Sequence, residues 1–321
     1  MATLAITVLS GCSSTEVIES PGAQEKSDEI SIALSAPDAF GFPTRANEGL
    51  QLRYVAHLWK GATSQSDQMQ HMQRKEVLAK DTKTITFNVK ETGDYFITIF
   101  ADYIDENSVP TDGKYPDKYY NTSKSDERVY MLAERGDDGA LYDETNINND
   151  NFDCYANKIA VVKTENEYNA DLTLNHAVCK VVFKGKAGEK EGIEKVDITE
   201  FSFIRECNLR TLDGSVSGSL KINPKTIPYN GNSDELFYFY SFGQTSGALG
   251  TIKFDVKGKE NYAYQSFTIQ GGTFETKANT IITVTGSFFT PTDSPNKQSD
   301  NINITVSEDS KWKEDSKNLN N

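Results

Sequence analysis

Thr84-Ile85-Thr86-Phe87-Asn88-Val89 and, after a short polar break, Tyr95-Phe96-Ile97-Thr98-Ile99-Phe100-Ala101 decide the fold class. The first run alternates apolar and polar residues, the period of a strand with one buried face. The second is apolar on both faces and reads as a central strand. Gly93-Asp94 between them is a turn signal, so the two runs are predicted to form a hairpin. The same signature recurs on both sides. Residues 52–59, 129–132 and 159–162 read as further strands of this block. A second series follows at 172–174, 178–183, 196–203, 220–222, 236–242, 251–256, 262–269 and 281–285, punctuated by Asp213-Gly214, Asn230-Gly231 and Gly271-Gly272. Many short strands with turn signals between them predict an all-β chain built as two tandem β-sandwiches. Residues 66–80 fit either a short helix carrying Met69, Met72 and Val77 or a polar hairpin.

The expected organisation is a signal segment over 1–12 and a linker over 13–29. An N-terminal β-sandwich domain over 30–170 and a C-terminal one over 171–289 follow. Residues 290–321 hold a last strand and a polar tail. The 321 residues are ample for two cores. The formal net charge of −14 argues against a nucleic-acid partner, because an acidic surface repels phosphate.

Leu4-Ala5-Ile6-Thr7-Val8-Leu9 is apolar but far shorter than the roughly 20 residues that span a bilayer. Leu9-Ser10-Gly11-Cys12 after it reads as a lipobox, with Cys12 the lipidated first residue of the mature chain. No Lys or Arg precedes the run, and the signal's n-region reads as truncated. Removing Cys12 leaves Cys154, Cys179 and Cys207, so at most one disulfide can form within the chain. Cys179 lies in an apolar strand and reads as a small buried hydrophobe.

Two segments at opposite ends share one pattern. Ile30, Ile32 and Leu34 point to one face, and Ile302, Ile304 and Val306 do the same. Either row could fill the same line of apolar pockets on a sheet. A sandwich that lost its first strand would present an unpaired edge, a template for a strand from a neighbouring chain. Such head-to-tail addition need not close and builds filaments. Arg45, between Thr44 and Ala46 in a Pro- and Gly-containing loop, is a candidate site for an Arg-specific protease that would release the first strand. A solvated loop arginine is the plainer reading of the residue alone.

Several segments together resemble the Bacteroidales fimbrillins, the lipoprotein precursors of type V pili. They are the lipobox at Cys12, Phe42-Pro43-Thr44-Arg45-Ala46, Arg53-Tyr54-Val55-Ala56-His57-Leu58-Trp59 and Gly93-Asp94-Tyr95-Phe96-Ile97 leading to Ala101-Asp102-Tyr103. Tyr119-Tyr120-Asn121-Thr122, residues 172–181 from Leu172-Thr173-Leu174 to Val181, and Ile302-Asn303-Ile304-Thr305-Val306 through Trp312 complete the set. The resemblance implies two transthyretin-like β-sandwich domains, export to the outer membrane as a lipoprotein, and a location on the cell surface in a fimbrium. It implies cleavage between Arg45 and Ala46, release of the strand bearing Ile30, Ile32 and Leu34, and a donor strand within 301–307 bearing Ile302, Ile304 and Val306. The implied partners are other pilin subunits of the same or a different kind, the outer membrane through the N-terminal lipid, and a host protein or glycan.

Catalytic and cofactor signatures are missing from the sequence. It holds no phosphate loop, nucleophile elbow or HExxH. His57, His71 and His176 have no metal-pair spacing, and His57 and His176 read as packed strand residues. Asp137-Asp138-Gly139 and residues 148–153 read as solvated acidic loop, without EF-hand spacing. The expectation is therefore a non-enzymatic structural subunit of a pilus, with no cofactor and no metal, that assembles by strand exchange and contributes to adhesion. The alternative is a non-polymerising outer-membrane lipoprotein that binds glycan or host protein through residues 102–126 and 136–153.

Overall fold

Alternating burial sorts the strands of this chain into facing sheets, as the computed structural model displays for residues 28–35, 49–61, 69–132, 134–135, 141–142, 147–165, 168–185, 193–200, 203–215, 225–229, 234–244, 250–258, 265–269, 275–286 and 305–309. The first half of the chain holds β1 (Glu29–Ser35), β2 (Leu50–Lys60), β3 (Gln70–Leu78), β4 (Thr84–Asn88), β5 (Gly93–Asp105), β6 (Tyr120–Asn121), β7 (Arg128–Met131), β8 (Glu134–Arg135), β9 (Leu141–Tyr142), β10 (Tyr155–Lys163) and β11 (Tyr168–Thr173). The second half holds β12 (Asn175–His176), β13 (Val178–Gly185), β14 (Ile193–Glu200), β15 (Glu206–Asn208), β16 (Asp213–Ser215), β17 (Lys225–Pro228), β18 (Glu235–Phe242), β19 (Ile252–Gly258), β20 (Gln265–Ile269), β21 (Thr280–Gly286) and β22 (Thr305–Asp309). Among the described residues there is no α-helix, only a short 3₁₀ turn at Asp150–Phe152. The chain is all-β.

β5 is the central strand of the first half. Tyr95 through Ile104 are buried on both faces. Such a strand needs a neighbour on each edge, and β2 and β10 supply them in antiparallel ladders. The resulting sheet has the order β12-β10-β5-β2-β3. Facing it is a three-stranded sheet, β11-β1-β4. The space between is filled by Ile30, Ile32, Leu34, Ile85 and Phe87 from the smaller sheet and by Tyr54, Leu58, Ile97 and Ile99 from the larger.

The hairpin expected across Gly93-Asp94 does not form. β4 pairs with β1, while β5 belongs to the opposite sheet. The reason lies in the two burial patterns: β4 buries only the row of Ile85 and Phe87, and β5 buries both faces. Gly93, at φ +145°, carries the chain from one sheet to the other. Residues 70–78 are a strand, not a helix, because the free edge of β2 takes them up antiparallel. Met72 is exposed, at the register shift between Gln73 and His71.

In the second half, the sheet β18-β13-β21-β22 faces the sheet β17-β14-β19-β20. Val181, Phe183, Phe237, Phe239, Ile282 and Val284 from the first meet Val196, Ile198, Phe254 and Phe267 from the second. Phe183 stacks on Phe237 at 4.4 Å, and Phe254 meets both edge-on. Edge-on and offset ring pairs add roughly 0.5–1.5 kcal/mol each beyond burial.

The halves are tied together. β7 from the first half pairs with β15 from the second in the sheet β16-β15-β7-β6. Phe100, Tyr120 and Phe152 pack in the same apolar cluster as Val178 and Phe242. The boundary expected between 170 and 171 falls inside β11, which pairs along its length with β1.

A buried arginine fastens the segment after β5. Arg53 on β2 donates from Nε and Nη2 to both carboxylate oxygens of Asp102 on β5, at 2.9 and 2.8 Å. It also reaches Asp117 at 2.9 Å, Glu76 at 3.3 Å and the Tyr115 carbonyl at 3.0 Å. Burial pushes the Asp102 carboxyl up to about 6 against the pull of Arg53, with Asp117 and Glu76 adding to the rise. Burial alone would lower the guanidinium's pKa, but Asp102, Glu76 and Asp117 reverse that and hold it firmly charged.

Two variants test these packings in chemical denaturation of the full chain. Ile32→Ala is expected to lower stability by about 2–5 kcal/mol by opening a cavity beneath β1, while Ser31→Ala on its outward face changes it by about 1 kcal/mol or less. Arg53→Ala is expected to lower stability by about 3–5 kcal/mol, since it leaves Asp102 and its acidic neighbours without their cation.

Candidate assembly site

Strand β1 reads EISIALS, and its sequence explains its place. Ile30 and Ile32 are fully buried and Leu34 nearly so, while Ser31, Ala33 and Ser35 turn outward. Alternation of large apolar and small residues suits a strand that covers a core with one face. Both edges are used. On one side β1 runs parallel to β11, from Ile30 opposite Tyr168 to Ser35 opposite Thr173. On the other it runs antiparallel to β4, from Glu29 opposite Asn88 to Ala33 opposite Thr84.

The ladder continues past both ends. Val89 N donates to the Asp28 carbonyl at 2.5 Å, Leu34 N to the Lys83 carbonyl at 2.6 Å, and Leu174 N to the Ser35 carbonyl at 2.7 Å. The outward hydroxyls add side-chain rungs, Ser31 to Thr86 at 2.8 Å and Ser35 to Thr173 at 2.9 Å. From β3, Lys75 and Gln73 donate to the Thr86 and Asn88 carbonyls and hold β4 across to the larger sheet. Taking β1 away would therefore leave two ladders unpaired and three apolar pockets open.

β22 is the other end strand. It pairs antiparallel with β21, from Thr285 opposite Thr305 to Ile281 opposite Asp309, at the edge of its sheet. Val306 stands opposite the buried Val284. Its sheet is not that of β1, so the two end strands occupy separate places within one chain. Cys12, Arg45, Ala46, Ile302 and Ile304 lie outside the described residues.

The remaining groups are placed as follows. Cys154, Cys179 and Cys207 are free thiols in the core. Burial pushes the thiols of Cys179 and Cys207 up to about 12. The segment read as a loop over 102–126 begins with the last residues of β5 and is then held by Arg53 and Asp117. Asp117 accepts from Thr122 N and Oγ1 and from Ser123 Oγ. The acidic segment ending at Asp153 is partly structural. Asp150 accepts from Lys180 at 2.9 Å and Tyr240 at 2.7 Å, and His176 Nδ1 lies 2.7 Å from Asp153. Residues 137–139 lie outside the described residues. The spacing of the sequence missed one grouping: pairing of β2 with β3 brings His57 beside His71, with Asp126 next to them.

Among solved structures, the chain is similar to a fimbrial assembly protein from Parabacteroides distasonis, with 11% identity and a TM-score of 0.42 over 88% of this chain and 98% of that one. It is also similar to a fimbrial anchor protein from Porphyromonas gingivalis, with 11% identity and a TM-score of 0.43 over 88% of this chain and 97% of that one. At these scores neither likeness assigns a function. No curated protein matches the chain. One family model matches residues 21–321, nearly the whole sequence, and the chain belongs to the family described as a family of unknown function (DUF6562).

Proposed function

We propose that the chain is a fimbrillin-type structural subunit at the cell surface, with β1 as its exchangeable strand. The observation that carries this reading is the seat of β1. It is hydrogen-bonded along both edges and plugs the core with Ile30, Ile32 and Leu34. Burial of three such side chains contributes on the order of 5–9 kcal/mol, and a strand held that way dissociates slowly. A neighbour's strand in the same seat would make a lasting joint. The partners are then other subunits of the fibre, and cleavage between Arg45 and Ala46 is the step that frees the seat.

The lipid on Cys12 delivers the precursor to the outer membrane. If the chain is cut at Arg45, that lipid leaves with β1 and the subunit is held by its neighbours. The donor is the segment 301–307, with Ile302, Ile304 and Val306 as the apolar row. For donation, β22 must leave β21. The stretch Thr305–Asp309 pairs with β21 alone, at the edge of its sheet, so leaving costs a single ladder.

That ladder also favours a second reading. A chain whose last strand stays on its own sheet does not donate. It remains a lipid-tethered surface protein that binds glycan or host protein through 102–126 and 136–153. Treatment of the purified protein with an Arg-specific protease separates the two. The fibre reading expects ladders of slowly dissociating oligomers on unheated gels, absent in Arg45→Ala and in a deletion of 301–321. A cleaved product that stays a monodisperse monomer at high concentration overturns it and leaves the tethered binding protein.

A further inference from the structure

The face of β2 and β3 opposite the β1 sheet carries a group that assembly does not use. His57 and Trp59 share one side of β2, and a bulge between Leu58 and Trp59 sets Trp59 opposite His71 of β3. The ring of His71 packs edge-on against Trp59 at 4.8 Å and beside His57 at 5.2 Å. His57 Nδ1 and His71 Nε2 then face each other at 3.1 Å. On the far side of the His71 ring, Nδ1 lies 3.4 Å from Asp126 Oδ2. One donor atom from each of the three residues falls within 4.8 Å of the other two.

We propose that His57, His71 and Asp126 form a site for a divalent transition-metal ion of the zinc class. Two imidazoles and one carboxylate are the donors such ions select over magnesium or calcium. With metal–ligand bonds of about 2.0–2.1 Å, tetrahedral donor atoms sit about 3.3 Å apart, close to the separation of the two facing nitrogens. Asp126 is half exposed, and from its place beside Nδ1 its side chain must swing round the edge of the His71 ring to join them. The exposed side leaves a coordination position for water.

Arg74 stands opposite His57 on β3 as a competing cation, and its guanidinium is engaged by Glu76 and the Thr122 carbonyl and hydroxyl. A bound ion would tie the β2–β3 pair to the segment entering β7, where the two halves of the chain join.

Cobalt(II) is the probe, added to the tag-free full chain at neutral pH. One equivalent should bind, with the visible bands of a low-coordinate nitrogen and oxygen site and no thiolate charge-transfer band. Zinc should displace it and raise the melting temperature. His71→Ala should abolish the spectrum, and Asp126→Asn should weaken binding by at least about tenfold, the least that loss of even an outer partner costs. Both changes lie at the partly exposed side, and circular dichroism checks that each variant is folded. An absent cobalt spectrum overturns the site and leaves a hydrogen-bonded imidazole pair only. So does a thiolate band, or affinity unchanged in either variant.

Discussion

β1 is the middle strand of a sheet whose outer strands, β4 and β11, share no ladder of their own. That single constraint organises the first half of the chain. Remove the strand and both outer strands lose an edge partner, while Tyr54, Leu58, Ile97 and Ile99 lose part of the lid over them. Yet the seat makes few demands on what fills it. Main-chain hydrogen bonds are indifferent to sequence, and the pockets ask only for large apolar residues at every second position. Small outward residues such as Ser31, Ala33 and Ser35 complete the requirement. A seat of this kind asks for a pattern of side chains rather than for one particular sequence.

The remainder of the structure is held largely by ladders and contacts in which β1 takes no part. β5 is clamped by long ladders on both sides and buried on both faces. Arg53 and its carboxylates lock the segment after it, and β7 with β15 joins the two halves. The second half draws its cohesion from a stack of phenylalanines around Phe183 and Phe254. None of these depends on β1 for its hydrogen bonds. β1 is thus seated on a framework whose long ladders and second core are formed without it.

Much of this was legible in the sequence because side-chain period and strand burial are the same fact seen twice. The two-faced run of residues 95–101 announces a central strand, and Ile30, Ile32 and Leu34 announce a half-buried one. Pairing partners are another matter. Gly93-Asp94 looks the same whether the chain folds back on itself or crosses to a facing sheet, and only the competition of β1 and β2 for those edges decides. Residues 70–78 have too few apolar side chains to declare a period, so the edge of β2 settles them. Arg53 and Asp102 lie 49 residues apart, and His57 and His71 meet across a bulge. Such encounters are properties of register, which no local pattern contains.

The central claim is that the β1 seat accepts a strand from outside the chain. A chain beginning at Ala46 can be mixed with a labelled peptide spanning residues 28–36, and its uptake and release followed. The account predicts one peptide bound per chain, release over hours, and no uptake of the same peptide carrying Ile32→Asp. A truncated chain that folds cooperatively and takes up neither peptide would contradict it.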